Sequence, residues 1–432
     1  MSMRTKSPSR SNPLVPRRAE GAETQAKLAR DPASAVSFVL QFSSQEGMPP
    51  DRVLAKLLLM RQGAGAFFRA NPALFFADLM GAYLRQRELL DRRAPTMVID
   101  GDTHLGNFRA FRGPDGHPVW GLDDFGQAGM GSPEWDLERL ATSAVLAARE
   151  AGLGHGAQHG LVKAIGARYF GTIATLAHVG RAGPAPLWEE EASGPVKALL
   201  RKAESVRRGD LLKHCVRDDR FLSTDDLRPL STEQAERLMT AMEAYARKLP
   251  GGVEVAVPLC ILDAVEKLDG GERGYGLPRY YVLVAHADST QEPILLEVKA
   301  LLPSAIDEQD GDPQRADAAQ VVEHQRTLGA AANPLTGSTV LGGSSYLVRE
   351  LEPEKARVTP EQLSEVELFS LCEQAARVLA RSHAQGPGQA EAIHTWVGDD
   401  AEEATANLWS FARAYADQVF EDWTELRDST SA

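Results

Sequence analysis

The chain of 432 residues is poor in cysteine. Its three cysteines, Cys215, Cys260 and Cys372, lie far apart and form no C-x-x-C spacing. This disfavours a disulfide framework and a cysteine-based zinc site, and it favours small buried hydrophobic roles for the three thiols. Unpaired cysteines are typical of the reducing cytoplasm, so we expect a cytoplasmic protein.

Long apolar runs are also lacking, since none reaches the roughly 18 residues that indicate a membrane-spanning helix. The amino-terminal segment MSMRTKSPSRSNPLVPRRAEGAE is basic and has no apolar core, which argues against a signal peptide. Positive charge is in deficit, with a formal net charge of −13. Because phosphate backbones are held mainly by Lys and Arg, we expect no nucleic-acid partner, and we expect no membrane partner either. Nothing in the sequence indicates the oligomeric state.

The chain is long enough for more than one core, and its texture changes along its length. Apolar residues recur at helical spacing from about residue 36 to 90, whereas YYVLVA and PILLEVKA are typical of strands. We predict an α+β fold with four parts. They are a disordered basic tail (1–35), a helical lobe (36–248), a β-rich nucleotide lobe (249–352) and the carboxyl-terminal part of the helical lobe (353–432).

What the sequence does contain is a concentration of polar residues in MVIDGDTHLGNFRAFRGPDGHPVWGLDDFG, residues 97–126. TMVID predicts a strand, GDTHLGNF a loop, and PVWGLDD a second strand that pairs with the first through the turn RGPDGH. Asp102 and Asn107 have the spacing D-x-x-x-x-N of a kinase catalytic loop, and Asp124 begins a D-F-G.

Phosphoryl transfer from a nucleotide needs a carboxylate at the acceptor hydroxyl and oxygen ligands for Mg²⁺. We therefore predict Asp102 as the catalytic base and Asn107 and Asp124 as metal ligands, with Mg²⁺ and ATP as cofactors. His104 either orients Asp102 or is a satisfied buried histidine. A plain acidic surface with capped turns is the alternative interpretation of the whole stretch.

The parts that hold phosphates come later in the chain. Lys299, in LLEVKAL, is at the position of a strand lysine, and Glu323 on the next predicted helix is its expected ion-pair partner. The preceding turn GGERGYG supplies Gly271, Gly274 and Gly276 as a phosphate loop. Ordinary kinases have these parts before the catalytic loop, so the order here predicts a circular permutation.

These motifs resemble a bacterial family of unknown function, family 2252, which is similar to protein kinases and to aminoglycoside or choline phosphotransferases. GDTHLGNF resembles its G-D-x-H-x-x-N-F, and GSPEWDLERLA resembles its G-P-x-x-W-D-L-x-R-L-A. The resemblance implies a two-lobed, kinase-like fold and Mg²⁺–ATP-dependent transfer to the hydroxyl of a small molecule. It also implies a structural role for Asp136, and it matches Arg69 in GAFFRANP to a family arginine that either binds phosphate or braces the core.

The sequence departs from the family pattern at several positions. Gly121 stands where the family has Asp, Asp123 where it has Asn, and Gly126 where it has another Asp. Arg273 stands where a glycine loop has its middle Gly, which keeps open a pseudokinase that binds a nucleotide or a partner without turnover. Adenylyl transfer is a further alternative. A metallophosphoesterase would use GDTH for metal ligands, but it would also need a later G-N-H, which is absent.

Overall fold

The structure, a computed structural model, describes residues 31–45, 50–83, 94–180, 182–251, 253–255, 259–268, 277–306, 317–330, 333–398 and 400–429. It is a mixed α+β fold, as the sequence predicts, and its paired strands are antiparallel. The predicted tail lies outside the described residues up to residue 30, and the first helix begins at Pro32.

The described helices are α1 (Pro32–Gln45), α2 (Pro50–Met60), α3 (Ala64–Ala70), α4 (Pro72–Asp78), α5 (Pro133–Glu150), α6 (His155–Val179), α7 (Gly194–Glu204), α8 (Arg208–Cys215), α9 (Thr232–Ala246), α10 (Ala318–Thr327), α11 (Glu365–His383), α12 (Gln389–Val397) and α13 (Ala401–Ser429). A π-helical turn, Leu79–Tyr83, follows α4, and short 3₁₀ turns lie at Leu105–Asn107 and Pro360–Gln362. The strands are β1 (Met97–Ile99), β2 (Phe108–Arg112), β3 (Pro118–Leu122), β4 (Gly129–Gly131), β5 (Val216–Arg217), β6 (Arg220–Phe221), β7 (Leu227–Pro229), β8 (Ile261–Lys267), β9 (Arg279–Val284), β10 (Ile294–Ala300), β11 (Gly337–Leu341), β12 (Ser344–Glu350) and β13 (Ala356–Arg357).

The largest sheet has six strands in the order β11-β12-β10-β9-β8-β7. Branched and aromatic residues of its central strands pack with α9 in a separate apolar cluster that includes Met242, Tyr245, Val282, Leu296 and Val348. Alternation along β10 places Glu297 and Lys299 on one face of this sheet, because side chains two apart in a strand share a face. That face borders the site described below.

A second, three-stranded sheet, which we call the loop sheet, has the order β13-β2-β3. Its short strand β13 follows β12, so the chain passes directly from the six-stranded sheet to the loop sheet. The predicted pairing of TMVID with PVWGLDD is wrong. β1 pairs with β4. β3 pairs with β2, and the turn RGPDGH connects these two strands. A tight turn joins strands that are neighbours in sequence, whereas β1 is separated from β2 by the 100–107 loop.

Most helices share one large apolar core, which also covers the loop sheet. Trp120 is fully buried in it and stacks on Phe108 at 5.1 Å between ring centroids. The three cysteines are free; Cys372 is buried as predicted, Cys215 is half-buried and Cys260 is exposed. Within the described residues, no helix combines the length and the apolar character that a membrane crossing needs.

Candidate functional site

The 100–107 loop is anchored at its start by Asp136 in the first turn of α5. The Asp136 carboxylate accepts the backbone N–H groups of Asp100 at 2.7 Å and Gly101 at 2.8 Å. Asp136 is fully buried, and His383 Nε2 of α11 lies 3.1 Å from its Oδ2. The structural role predicted for Asp136, meeting backbone N–H groups, is confirmed.

Two more side chains of α5 hold the same loop. Arg139 Nη2 donates to Asp102 Oδ1 at 2.6 Å, and Ser143 Oγ accepts the Leu105 N–H at 3.1 Å. Positions 136, 139 and 143 lie on one side of the helix because each residue advances by about 100°. One helix face therefore fixes the loop at three points.

Arg139 is the main contact that the sequence interpretation missed. Its side chain is fully buried, and its guanidinium carbon lies 4.5 Å and 4.9 Å from the ring centroids of Phe68 and Phe75. The rings cover the face of the cation, which leaves Nη2 to orient the Asp102 carboxylate. The arginine of W-D-L-x-R in the quoted motif was the available signal.

His104 caps a turn within the 100–107 loop. Its Nδ1 accepts the Gly106 N–H at 3.1 Å and so caps the 3₁₀ turn Leu105–Asn107. Burial, together with the positive charges of Arg69 and Arg139, holds the pKa of His104 well below its usual range. The neutral ring therefore carries its proton on Nε2. Of the two roles left open by the sequence, the capping contact favours the structural one.

Asn107 joins the loop to the D-F-G segment. Its Oδ1 accepts the Asp124 N–H at 3.1 Å, and its Nδ2 donates to the Asp124 carbonyl at 3.1 Å and to Asp100 Oδ2 at 3.2 Å. Asp100 is fully buried, and burial, with the nearby charges of Asp136 and Asp102, raises the pKa of its carboxyl well above the usual range. Asp100 is thus a buried hydrogen-bond acceptor that orients the Asn107 amide, a role that no sequence motif suggested.

Asp124 meets the strand lysine. Lys299 Nζ donates to Asp124 Oδ2 at 2.9 Å, and the Gly126 N–H donates to Oδ1 at 3.2 Å. Burial alone would raise the pKa of the Asp124 carboxyl, but the charges of Lys299 and Arg349 outweigh it and hold that pKa well below its usual range. Asp124 is therefore ionised at neutral pH and available as an oxygen ligand.

The predicted ion pair of Lys299 with Glu323 is wrong. Glu323 is on the exposed side of α10, where its carboxylate lies 3.6 Å from Arg326 one turn further along. Periodicity placed Glu323 on a helix but did not decide which face of that helix meets the sheet. Glu297 is the buried carboxylate beside Lys299, and it accepts from Arg279 at 2.9 Å and from Arg349 at 2.8 Å.

Two other predicted site elements have different outcomes. Arg69 on α3 lies near the loop and pairs with Glu361 at 3.0 Å, so it links α3 to the segment before α11. The phosphate loop predicted at Gly271, Gly274 and Gly276 lies outside the described residues.

Asp123, next to Asp124, is surrounded by cations. Lys355 Nζ lies 2.7 Å from Oδ1, whereas Arg349 and Arg109 lie 3.6 Å and 3.7 Å from Oδ2. Burial raises the pKa of Asp123, but these three charges more than offset it, and the net pKa is below the usual value. Asp123 is a charge partner buried behind the site rather than a ligand in it.

One cleft of about 390 Å³ lies between the loop sheet and the six-stranded sheet. The predicted residues that line it are Asp102, His104, Asn107, Asp124, Lys299 and Arg69. Apolar side chains of Leu59, Leu277, Leu301 and Leu302 line it as well. The cleft thus combines an oriented carboxylate, an ionised carboxylate beside an amide, a buried cation and an apolar wall.

The donor set fits a Mg²⁺ ion that keeps most of its water. Mg²⁺ sites that share phosphates use only one or two protein carboxylates. Asp124 is ionised and partly exposed, and the Asn107 carbonyl oxygen has a second lone pair beyond the one that accepts the Asp124 N–H. Within the described part of the chain, no three His, Cys, Asp or Glu side chains cluster as an all-protein metal site.

The model of one protein family matches the chain over residues 49–429. That family is described as "Uncharacterized protein conserved in bacteria (DUF2252)". No curated protein and no solved structure matches the chain.

Proposed function

The chain belongs to this bacterial family, DUF2252, and we propose that it is a Mg²⁺–ATP-dependent phosphotransferase that acts on the hydroxyl of a small molecule. The proposal includes a circularly permuted, protein-kinase-like fold in which the nucleotide lies between the six-stranded sheet and the helices. One observation carries it. The contact of Lys299 with Asp124, at 2.9 Å, joins residues 175 positions apart in the inverted order that a permutation requires.

Asp102 is the group proposed to act on the acceptor. The acceptor oxygen forms a bond to the γ-phosphorus, the bond from that phosphorus to the β–γ bridging oxygen breaks, and ADP leaves. The acceptor proton passes to the Asp102 carboxylate, which Arg139 holds in place through Nη2. The role of Arg139 is positioning, since it acts through Asp102.

Asp124 and Asn107 are the proposed ligands of Mg²⁺, which when bound neutralises charge on the phosphates. Lys299 is proposed to move from the Asp124 carboxylate to the phosphates when the nucleotide binds. Burial lowers the pKa of the Lys299 ammonium while Asp124 opposes that effect, so a second anion near Nζ is electrostatically favourable.

The first test is calorimetric titration of ATP into the purified protein with and without Mg²⁺. Binding should depend on Mg²⁺ in the wild type and should be lost in Asp124→Ala. Asp225→Ala removes an exposed carboxylate outside the cleft and should bind like the wild type. An absence of ATP binding in the wild type, or unchanged binding in Asp124→Ala, would contradict the proposal.

Product analysis separates the remaining alternatives. A phosphotransferase releases ADP, an adenylyltransferase releases pyrophosphate, and a pseudokinase binds ATP without releasing either product. The metallophosphoesterase alternative has less support, because Asp102 is paired with Arg139 and the His104 Nδ1 lone pair accepts a backbone N–H.

A further inference from the structure

The lining of the cleft is cationic, although the whole chain carries a formal net charge of −13. Two aspartates, Asp102 and Asp124, face six cations in the lining. The six are Arg69, Arg109, Arg279, Lys299, Arg349 and Arg357. Such an excess of positive charge over a small cavity indicates an anionic occupant.

The cations on the six-stranded sheet are balanced within the protein. Lys299 and Arg279 are directly opposite each other in the register of β10 and β9. Like charges in that position are destabilising unless a carboxylate lies between them. Here Glu297 accepts from Arg279 at 2.9 Å and Asp124 accepts from Lys299 at 2.9 Å, so both cations have a close carboxylate.

The loop sheet repeats this like-charge pairing without a carboxylate at hydrogen-bond distance. Arg357 of β13 is directly opposite Arg109 of β2, and opposite residues of an antiparallel pair share a face. On its other side, Arg109 faces Gly121 of β3, which has no side chain. The two arginines therefore form a cationic pair at the edge of the cleft.

Among the described residues, Arg109 has only a distant ion-pair partner and Arg357 has none. The nearest carboxylate of Arg109 is Asp123 at 3.7 Å, and Asp123 already binds Lys355 at 2.7 Å. Arg109 Nε is buried without a hydrogen-bond partner. Arg357 is exposed, and in the described part of the chain its guanidinium makes neither an ion pair nor a hydrogen bond.

The pair lies on the Asp102 side of the cleft. Arg109 is two residues beyond Asn107, on the strand that continues from the 100–107 loop, whereas Lys299, Arg279 and Arg349 belong to the opposite sheet. A group bound by the pair would be held by the sheet that continues from the Asp102 loop rather than by the strand that carries Lys299.

We propose that Arg109 and Arg357 bind an anionic group of the acceptor, so that the acceptor is a hydroxyl compound that also carries a phosphate or a carboxylate. This inference rests on the proposed function, because it assigns the two sides of the cleft to donor and acceptor. Two guanidinium groups on one side of an oxyanion provide several charge-assisted hydrogen bonds. They also relieve the like-charge contact of the unbound protein.

The test uses simple anions as probes and the full chain. Inorganic phosphate and, separately, succinate are titrated calorimetrically into protein saturated with Mg²⁺–ADP, which occupies the donor side. Binding of either anion should weaken by at least about tenfold in Arg357→Gln and in Arg109→Gln, since each loses charge-assisted hydrogen bonds. Preference for phosphate or for succinate identifies the chemical class. Arg201→Gln, an exposed arginine outside the cleft, should bind like the wild type.

Lys299→Met separates this site from the nucleotide site. If phosphate binding is lost in Lys299→Met but retained in Arg357→Gln, the phosphate occupies the position of a nucleotide phosphate and the proposal is overturned. It is also overturned if neither anion binds the wild type, or if Arg357→Gln weakens Mg²⁺–ADP binding as much as anion binding. If ADP does not bind while anion binding still requires Arg357, the proposed function fails and the anion site stands.

Discussion

One side of helix α5 anchors a loop that lines the cleft, whereas its other side borders a cavity of opposite charge. Asp136 and Arg139 hold the 100–107 loop, which lines the cationic cleft of about 390 Å³. Glu134 and Glu138, roughly half a turn away, line a second cavity of about 980 Å³. Its described lining has five acidic residues, no basic residue, and the rings of Phe170 and Trp396.

The smaller cavity has the denser set of polar contacts. Around the cleft, side chains from α5, the 3₁₀ turn Leu105–Asn107 and β10 converge on a few backbone and carboxylate atoms at hydrogen-bond distance. The acidic cavity is more than twice as large, yet its described lining has no cation to balance its carboxylates. We therefore place the proposed site by the geometry of its polar atoms and not by cavity volume.

The largest expected effect comes from a substitution in the cationic cleft. Asp102→Asn should lower turnover, followed as ADP release, by roughly 10²–10⁴, because the amide cannot take up the acceptor proton. Thermal unfolding should show a folded protein, since asparagine keeps the size of the side chain. Turnover equal to that of the wild type would exclude Asp102 as the base.

The next effect concerns the stability of the same face. Arg139→Met should lower the free energy of unfolding by about 3 kcal/mol, because it breaks a buried ion pair while keeping an apolar contact with Phe68 and Phe75. Urea unfolding followed by circular dichroism measures it. The control is Arg149→Met at the far end of α5, where a partly exposed pair with Asp417 should contribute less than about 1 kcal/mol. Equal losses in both variants would show that the burial of Arg139 is not what matters.

A pH dependence tests the carboxylate that balances the sheet side of the cleft. Burial raises the pKa of Glu297, but Arg349 and Arg279 outweigh it and lower that pKa to about 2. A lowered folded-state pKa means that the stabilisation is present above the unfolded value near 4.5 and is lost as the pH falls from there towards 2. The total is roughly 3 kcal/mol.

Unfolding free energies of Glu297→Gln measured at steps between pH 6 and pH 3 check this expectation. The loss of stability on acidification should be smaller than in the wild type by the share of Glu297. Glu323→Gln, at an exposed position on α10, should follow the wild type. The same acid sensitivity in Glu297→Gln as in the wild type would contradict the assignment.

The smallest expected effect comes from substitutions in the acidic cavity. Glu391→Gln and Glu403→Gln, both in the acidic cavity, should leave Mg²⁺-dependent ATP affinity unchanged within about twofold, because exposed charges are screened over about 10 Å in ordinary buffers. Calorimetry measures the affinity. A clear gain or loss would mean that the two sides of α5 are coupled.

The sequence predicts local pieces of this molecule better than their pairing. The strand with Lys299 and the loop from Asp102 to Asn107 follow from residue type and spacing over a few positions. The ion-pair partner of Lys299 and the pairing of β1 do not, because each depends on which face of a helix or which edge of a strand is presented in the folded chain. Arg139 is two turns into a helix, where neither periodicity nor charge distinguishes it from a surface arginine.

The anchoring of Asp136 also bears on when the 100–107 loop can reach its final geometry during synthesis of the chain. Tyr169 keeps its proton, since burial, with the charge of Asp136, raises its pKa well above the usual range, and its hydroxyl lies 2.7 Å from His383 Nδ1. The Nε2 proton of His383 is then directed to Asp136, 247 positions earlier in the chain. A nascent chain emerging from the ribosome displays all of GDTHLGNF and DDFG long before His383 is translated. The nascent chain therefore carries the motif without the His383 contact, and the complete anchoring of Asp136 forms only after most of the chain has been made.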